Sequence, residues 1–209
     1  VKRIDKGKDY VKEDPRLPFG IPKADNGNYM WIQYFNSYLN EKGRAGFVMA
    51  SSATDAGNTE KLIREKLVES KDVDVIVSVG NNFFYTRSLP CHLWFFDKAK
   101  EEANKDKVLM IDARNTYRVV NSTINDFSDG QLLNLHTIVR LYRGDDEAIK
   151  KAQEEHIQAL KQRFEKVNTH YSAYAGILKE LSEELKNDSL LIKDKVVYEA
   201  FTTPKEADN

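Results

Sequence analysis

Cysteine is almost missing from this sequence of 209 residues, where Cys91 stands alone inside an apolar run. One thiol cannot form an internal disulfide, which suits a reducing compartment. Histidine is scarce too, and His92, His136, His156 and His170 have no second His, Cys or carboxylate at a zinc-ligand spacing. His92, set in an apolar run, reads as a satisfied core residue. No glycine-rich loop follows a strand; Gly43-Arg44-Ala45-Gly46 precedes one and so reads as a turn, not a phosphate cradle. A Gly-x-Ser-x-Gly elbow is absent. So is any apolar run long enough to span a bilayer, or a signal peptide, which gives the reading of a cytoplasmic protein with no membrane partner. Excess charge of one sign is missing as well. The 32 Lys and Arg balance 33 Asp and Glu, so no net positive field draws the whole molecule to nucleic acid.

What is present is an ordinary globular composition, 41% hydrophobic and 31% charged. The chain centres on Val73–Phe96, where the apolar runs Val73–Val79 and Cys91–Phe96 flank the aromatic turn Phe83-Phe84-Tyr85. Both runs are β-branched or aromatic and short, which predicts buried strands, an antiparallel pair at one end of a sheet. The aromatic turn stays open between two readings. It is plain core, or it is a stacking surface at the strand ends, where open α/β sheets place their ligands.

Residues 1–27 carry Lys2, Arg3, Lys6 and Lys8, then Pro15, Pro18 and Pro22, and predict an irregular, partly mobile segment. Its basic residues line a DNA path or form a solvated charged loop. Residues 28–144 read as one α/β domain. Asn28–Asn40 predicts a helix with a wide aromatic face, Trp31, Phe35 and Tyr38 with Ile32 and Leu39, stopped before Gly43. Arg44–Ser51 predicts a strand, Ser52–Asn58 a turn, and Thr59–Ser70 an amphipathic helix capped by Asn58 or Thr59. Helix, strand, helix, strand is the rhythm of a mainly parallel sheet covered by helices. Val108–Ala113 predicts a further strand, with Asp112 and Arg114 as a local ion pair. Asn125–Gly144 predicts a helix beginning near Ser128 or Asp129 and stopped by Gly144.

From residue 145 to 187 the β-branched runs vanish. Leu160, Phe164, Val167, Tyr171, Tyr174, Leu178, Leu181 and Leu185 follow one another at alternating steps of four and three, a heptad seam. Such a seam needs a partner: the protein's own core, a second copy, or another subunit. The tail, 188–209, holds two short apolar runs (Ser189–Ile192, Val196–Tyr198) and a polar end.

Taken in order, Phe19-Gly-Ile-Pro22, Asn28-Tyr-Met-Trp-Ile-Gln-Tyr-Phe35, Gly43-Arg-Ala-Gly-Phe-Val-Met-Ala50, Glu60-Lys-Leu-Ile-Arg-Glu-Lys-Leu67, Val73-Asp-Val-Ile-Val77, Phe84-Tyr85, Leu89-Pro-Cys-His-Leu-Trp-Phe95 and Ile111-Asp-Ala-Arg114 resemble the modification (M) subunit of type I restriction-modification systems. The resemblance spans roughly residues 15–144. It implies an adenine-specific DNA methyltransferase that uses S-adenosylmethionine, extrudes its target base, and takes specificity from a separate S subunit, with a restriction (R) subunit in the full complex. The family's glycine motif and its catalytic Asn-Pro-Pro-Phe/Tyr tetrapeptide do not occur here. The resemblance sets the tetrapeptide just before Val1. A chain beginning with Val rather than Met therefore reads as a fragment, with no catalytic residue of its own and no S-adenosylmethionine expected to bind it.

The fold implied is the later part of a Rossmann-like methyltransferase sheet, followed by a C-terminal, coiled-coil-like helical extension. On the same resemblance, Phe84 or Tyr85 packs on the target adenine while the other enters the core, Arg87 touches phosphate, and the seam Leu160–Leu185 meets helices of the S subunit. The competing reading is a non-enzymatic α/β interaction module with a coiled-coil oligomerisation arm. A nucleotide-binding oxidoreductase has only the α/β rhythm in its favour.

Overall fold

In a computed structural model, the structure describes residues 12–24 and 26–186. The basic start, residues 1–11, the two apolar runs of the tail and the side chain of Leu185 lie outside the described residues.

The helix over Asn28–Ser37 (α1) is followed by strand β1 (Arg44–Ala50), a short helix α2 (Ser52–Asp55), helix α3 (Asn58–Glu69), and strands β2 (Val73–Val79) and β3 (Cys91–Asp97). Strand β4 (Leu109–Ala113), a ribbon of β5 (Arg118–Asn121) and β6 (Ile124–Asp126), helix α4 (Asp129–Tyr142) and the long helix α5 (Ala148–Lys186) complete the order. The chain divides into two compact units between Ala152 and Gln153.

The four-stranded sheet runs β1-β3-β2-β4. Strands β2 and β3 are antiparallel as expected, but they are the two interior strands of this sheet rather than a pair at its end. Nor is the sheet mainly parallel. Of its three pairings two are antiparallel, β3 with β1 and β3 with β2, and only β2 with β4 is parallel. The reason is the Gly80–Pro90 connection, which has no crossover helix and so must reverse the chain.

Each face of the sheet is covered. On one, Trp94 and Phe96 of β3 and Ile76 of β2 pack against Tyr29 and Ile32 of α1 and Ile63 and Leu67 of α3. On the other, Val75, Val77 and Val79 of β2 pack with Leu135, Val139 and Tyr142 of α4. Strand β2 carries apolar side chains on both faces, which are both covered, with Asp74 buried among them; burying each apolar side chain contributes roughly 1.5–3 kcal/mol.

Helix α1 turns inward only part of the face expected of it: Ile32 is buried, Leu39 packs on the core and Phe35 stacks on Phe47 with centroids 4.5 Å apart. Tyr29, Ile32, Gln33 and Asn36 are buried, whereas Trp31, Phe35 and Tyr38 are exposed. Polar side chains tolerate that position because they are satisfied. The Gln33 carbonyl accepts from the Phe19 amide (3.0 Å), its amide donates to the Gly20 carbonyl (2.9 Å), and Asn36 donates to Asp72 (2.7 Å). The same contacts anchor residues 13–24, which form turns without helix or strand. Arg16 adds to them, its guanidinium lying 4.3 Å from the Tyr34 ring centroid and bonding Asp14.

Helix α4 begins as the sequence indicates. Ser128 and Gln131 form a reciprocal capping box, and Gly144 follows at φ 84°. Helix α3 differs from expectation. Neither Asn58 nor Thr59 caps it; Gly57 takes the N-cap position with no side-chain bond, and Asn58 adopts φ 52°.

Candidate functional site

The C-terminal ends of β1, β2 and β4 and the start of β3 meet at one edge of the sheet, because Ala50 and Val79 both pair with Cys91, and Val79 also pairs with Ala113. Three connections leave from this edge: residues 51–57, 80–90 and 114–117. Between the first two lies an open cavity of about 480 Å³, within the size range of small-molecule sites.

Strand β1 supplies the floor with Val48, Met49 and Ala50, and Ser51 and Ser52 continue it. Phe84, Thr86, Arg87, Leu89 and Pro90 form the facing wall, with Cys91 at the base. The lining is thus apolar carbon, three hydroxyls, one thiol and one guanidinium.

The wall is shaped by a tight reversal in which Phe84 and Arg87 form an isolated antiparallel bridge with Tyr85 and Thr86 at the apex. This geometry separates the three aromatics. Phe83 packs inward against the core and against the Phe127 ring, centroids 4.7 Å apart. Phe84 lines the cavity at 39% exposure, and Tyr85 projects from the apex at 90%. The aromatic that enters the core is therefore Phe83, and neither Phe84 nor Tyr85 does so. No described carboxylate pairs with Arg87.

The other wall is held from behind. The Tyr29 hydroxyl donates to the Ala53 carbonyl (2.6 Å), and Arg64 donates to the carbonyls of Ala53 (3.3 Å) and Ala56 (2.9 Å). Thr54 donates its single hydroxyl proton to the Ser51 carbonyl (2.9 Å), so in its contact with His92 Nδ1 (3.0 Å) the Thr54 oxygen accepts from the Nδ1–H of that tautomer. His92 is thus tied to the segment behind Ser51 and Ser52, and burial lowers its pKa. Burial raises that of the Cys91 thiol, which keeps it protonated and a poor nucleophile.

Gly80 sets the path of the facing wall. A Cβ there would sit 2.5 Å from the Arg114 carbonyl, so only glycine lets β2 leave the sheet this close to the end of β4. Two residues later Asn82 takes φ 67°, a left-handed conformation asparagine tolerates well. Asp112 and Arg114 form the expected local pair at 2.7 Å.

The sequence singled out Phe84, Tyr85 and Arg87, and the structure places Phe84 and Arg87 on one cavity wall. It missed Met49, Ser51, Ser52, Leu89 and Pro90. The small polar run after β1 was their only signal. Along α5, Leu160, Phe164, Val167, Tyr171, Tyr174, Leu178 and Leu181 are all exposed. No group of three or more potential metal ligands occurs among the described residues, and no described helix is long and apolar enough to cross a membrane.

The family model for N-6 DNA methylases matches residues 4–176. The MjaIX methylase subunit, a type I restriction enzyme component of Methanocaldococcus jannaschii, is 38% identical over 141 residues, covering 65% of this chain and 25% of that protein. The HindI methylase subunit of Haemophilus influenzae is 25% identical over 137 residues, 65% of this chain and 30% of its own length. The chain therefore spans only about a quarter to a third of these relatives. The type I methyltransferase subunit of Streptococcus thermophilus shares the fold, with a TM-score of 0.61 at 20% identity over 68% of this chain and 30% of that one. A family match over most of the sequence, joined to a mixed α/β sheet and long C-terminal helix like those of a type I subunit, makes this chain a member of the N-6 DNA methylase family, related to the methylase subunits of type I restriction enzymes.

Proposed function

We propose that this chain is the base-holding part of an adenine-specific type I DNA methyltransferase subunit, with the cavity beside Phe84 and Arg87 receiving the extruded adenine. The observation that carries this reading is the wall itself, an aromatic ring and a guanidinium that no described carboxylate pairs, facing an apolar floor at the strand ends. An enzyme modifying a base must take it out of the stack, and an aromatic ring beside a cation suits a flat base attached to a phosphodiester. Phe84 is the stacking ring; Tyr85, at the apex, meets DNA around the extruded base.

The cavity does not fit S-adenosylmethionine. No carboxylate lines it, so nothing there would hold the ribose hydroxyls or balance the sulfonium charge. The cofactor and the catalytic tetrapeptide belong to a part of the subunit outside this sequence, and the chain alone is inactive. Its partners are DNA, a specificity subunit that covers the α5 seam, and a restriction subunit in the full complex, all in the cytoplasm.

The test is a duplex carrying one unpaired 2-aminopurine, whose extrusion costs least when it has no partner. Binding should quench its fluorescence as the base stacks on Phe84, and Phe84→Ala should abolish the quench. An unchanged quench in that variant, or none at saturating protein, refutes the assignment. Calorimetry with S-adenosylmethionine should give no saturable heat.

A further inference from the structure

The β5–β6 ribbon was absent from the sequence reading and takes no part in the cavity. Its construction is unusual for an element of no function. All four residues of β5 are exposed. Val119 and Val120 stand at 65% and 52% exposure, at a point where the pairing register shifts. A two-stranded ribbon that buries so little is marginal by itself.

Three devices hold it instead. Arg118 and Asp126 pair across the strands at 2.8 and 2.5 Å. At the tip, Asn121 accepts from the Thr123 amide (2.9 Å) and hydroxyl (3.0 Å). At the base, the Asn125 amide donates to the Asn82 carbonyl (2.8 Å) and its side chain to the Asn81 carbonyl (3.1 Å). The last pair matters most. Asn81 and Asn82 belong to the connection that also carries Phe84, Thr86 and Arg87 of the cavity wall, so the ribbon and the wall are fastened to one segment.

The chemistry of the ribbon narrows its partner. Residues 115–125 contain no aspartate or glutamate in a chain that is 31% charged. Arg118, Thr123 and Asn125 are used in the bonds above, but Asn115, Thr116, Tyr117, Asn121 and Ser122 add further side-chain donors. The ribbon's single carboxylate, Asp126, is paired with Arg118, so its exposed face offers neutral donors to a nucleic acid, and a two-stranded ribbon has the dimensions of a DNA major groove.

We propose that the β5–β6 ribbon is a second DNA-contacting element, which enters a groove of the duplex flanking the extruded base while the Phe84–Arg87 reversal holds the base. This inference rests on the reading of the cavity as a base site. The ribbon places Val120 and the tip hydroxyls against DNA, and its tether to Asn81 and Asn82 fixes the spacing between groove and base.

The test uses photo-crosslinking on the full chain with a fluorescein-labelled duplex of mixed sequence carrying one unpaired adenine. Val120→p-benzoylphenylalanine and Tyr85→p-benzoylphenylalanine are compared, with circular dichroism confirming that both fold. Crosslinking at both positions is the expected result. Crosslinking at Tyr85 alone overturns the ribbon proposal and leaves the base site standing; crosslinking at Val120 alone supports the ribbon and removes the base site; no crosslink at either overturns both. A protein rather than DNA on the ribbon would show as the first of these failures, a Tyr85 crosslink with none at Val120. As an independent measure, Val120→Glu, which adds a carboxylate at an exposed position, should weaken duplex binding about tenfold, the size expected for a groove contact. Unchanged affinity in that variant also overturns the proposal.

Discussion

The carboxylate of Asp74, buried within β2, is held by the guanidinium of Arg143 just past the end of α4, with Nη2 2.5 Å and Nε 3.2 Å from the same oxygen. Asp74 is 2% exposed and Arg143 is partly open to solvent. Removing one partner of a buried pair leaves an uncompensated charge. Arg143→Ala should therefore lower stability by about 2–3 kcal/mol, toward the low end of the range for buried pairs because solvent reaches the arginine side. Chemical denaturation of Arg143→Ala and of Asp74→Ala/Arg143→Ala measures it. The double variant should be less destabilised than the sum of the two single ones, and simple additivity would show that the two residues act independently.

Gly80 offers a sharper structural test. With a Cβ only 2.5 Å from the Arg114 carbonyl, an oxygen that cannot rotate away, Gly80→Ala should cost about 1–3 kcal/mol through backbone displacement. It should also disturb the wall that follows. Thermal melting reads the first effect, and loss of 2-aminopurine quenching the second. Normal melting with normal quenching would mean that the close approach is not needed.

The acid side of the stability curve should carry the signature of Asp14. Its carboxyl is held well below the usual aspartate range, chiefly by the hydrogen-bonded guanidinium of Arg16, with further help from the Arg16 amide and the Tyr34 hydroxyl. A carboxyl depressed on folding stabilises the protein fully above the unfolded-state pKa, about 3.9, and loses that contribution as pH falls through the lower folded value. Asp14→Asn should flatten the fall of stability below about pH 4 and leave the slope above it unaltered. Parallel curves for the two proteins would contradict the role given to this carboxyl.

Phe84 and Tyr85 are neighbours with different exposures, so they should separate in experiment. Both Phe84→Ala and Tyr85→Ala should shift stability by less than about 1 kcal/mol, since neither side chain is buried. Phe84→Ala should abolish quenching of the extruded base, whereas Tyr85→Ala should weaken binding of the surrounding duplex. An equal effect of both on quenching would move the stacking role to the pair.

Along α5 the prediction concerns association alone. Val167, Tyr171 and Leu178 are exposed, so Tyr171→Glu with Leu178→Glu should leave the melting of the α/β unit unchanged. Copurification with a specificity subunit should be lost. Retained copurification would place that contact elsewhere.

Which parts of this protein were legible in the sequence follows from the range of the forces involved. The runs Val73–Val79 and Cys91–Phe96 declared themselves as strands because covering both faces of a strand requires continuous β-branched and aromatic residues. Ser128 and Gly144 marked the ends of α4 because capping is local chemistry. Family membership was legible for a similar reason, since short motifs in fixed order survive in the chain itself. Tertiary structure decided the rest. The order β1-β3-β2-β4 depends on pairing between distant residues, which no local pattern encodes. On the inward face of α1, Gln33 and Asn36 join Tyr29 and Ile32 because they find partners at Phe19, Gly20 and Asp72, while Trp31 and Tyr38 are left to solvent. The assignment of Phe83 to the core, Phe84 to the cavity and Tyr85 to solvent turned on a single reversal between Phe84 and Arg87. Three adjacent aromatics look alike in sequence, and only the direction of the backbone beneath them makes them different.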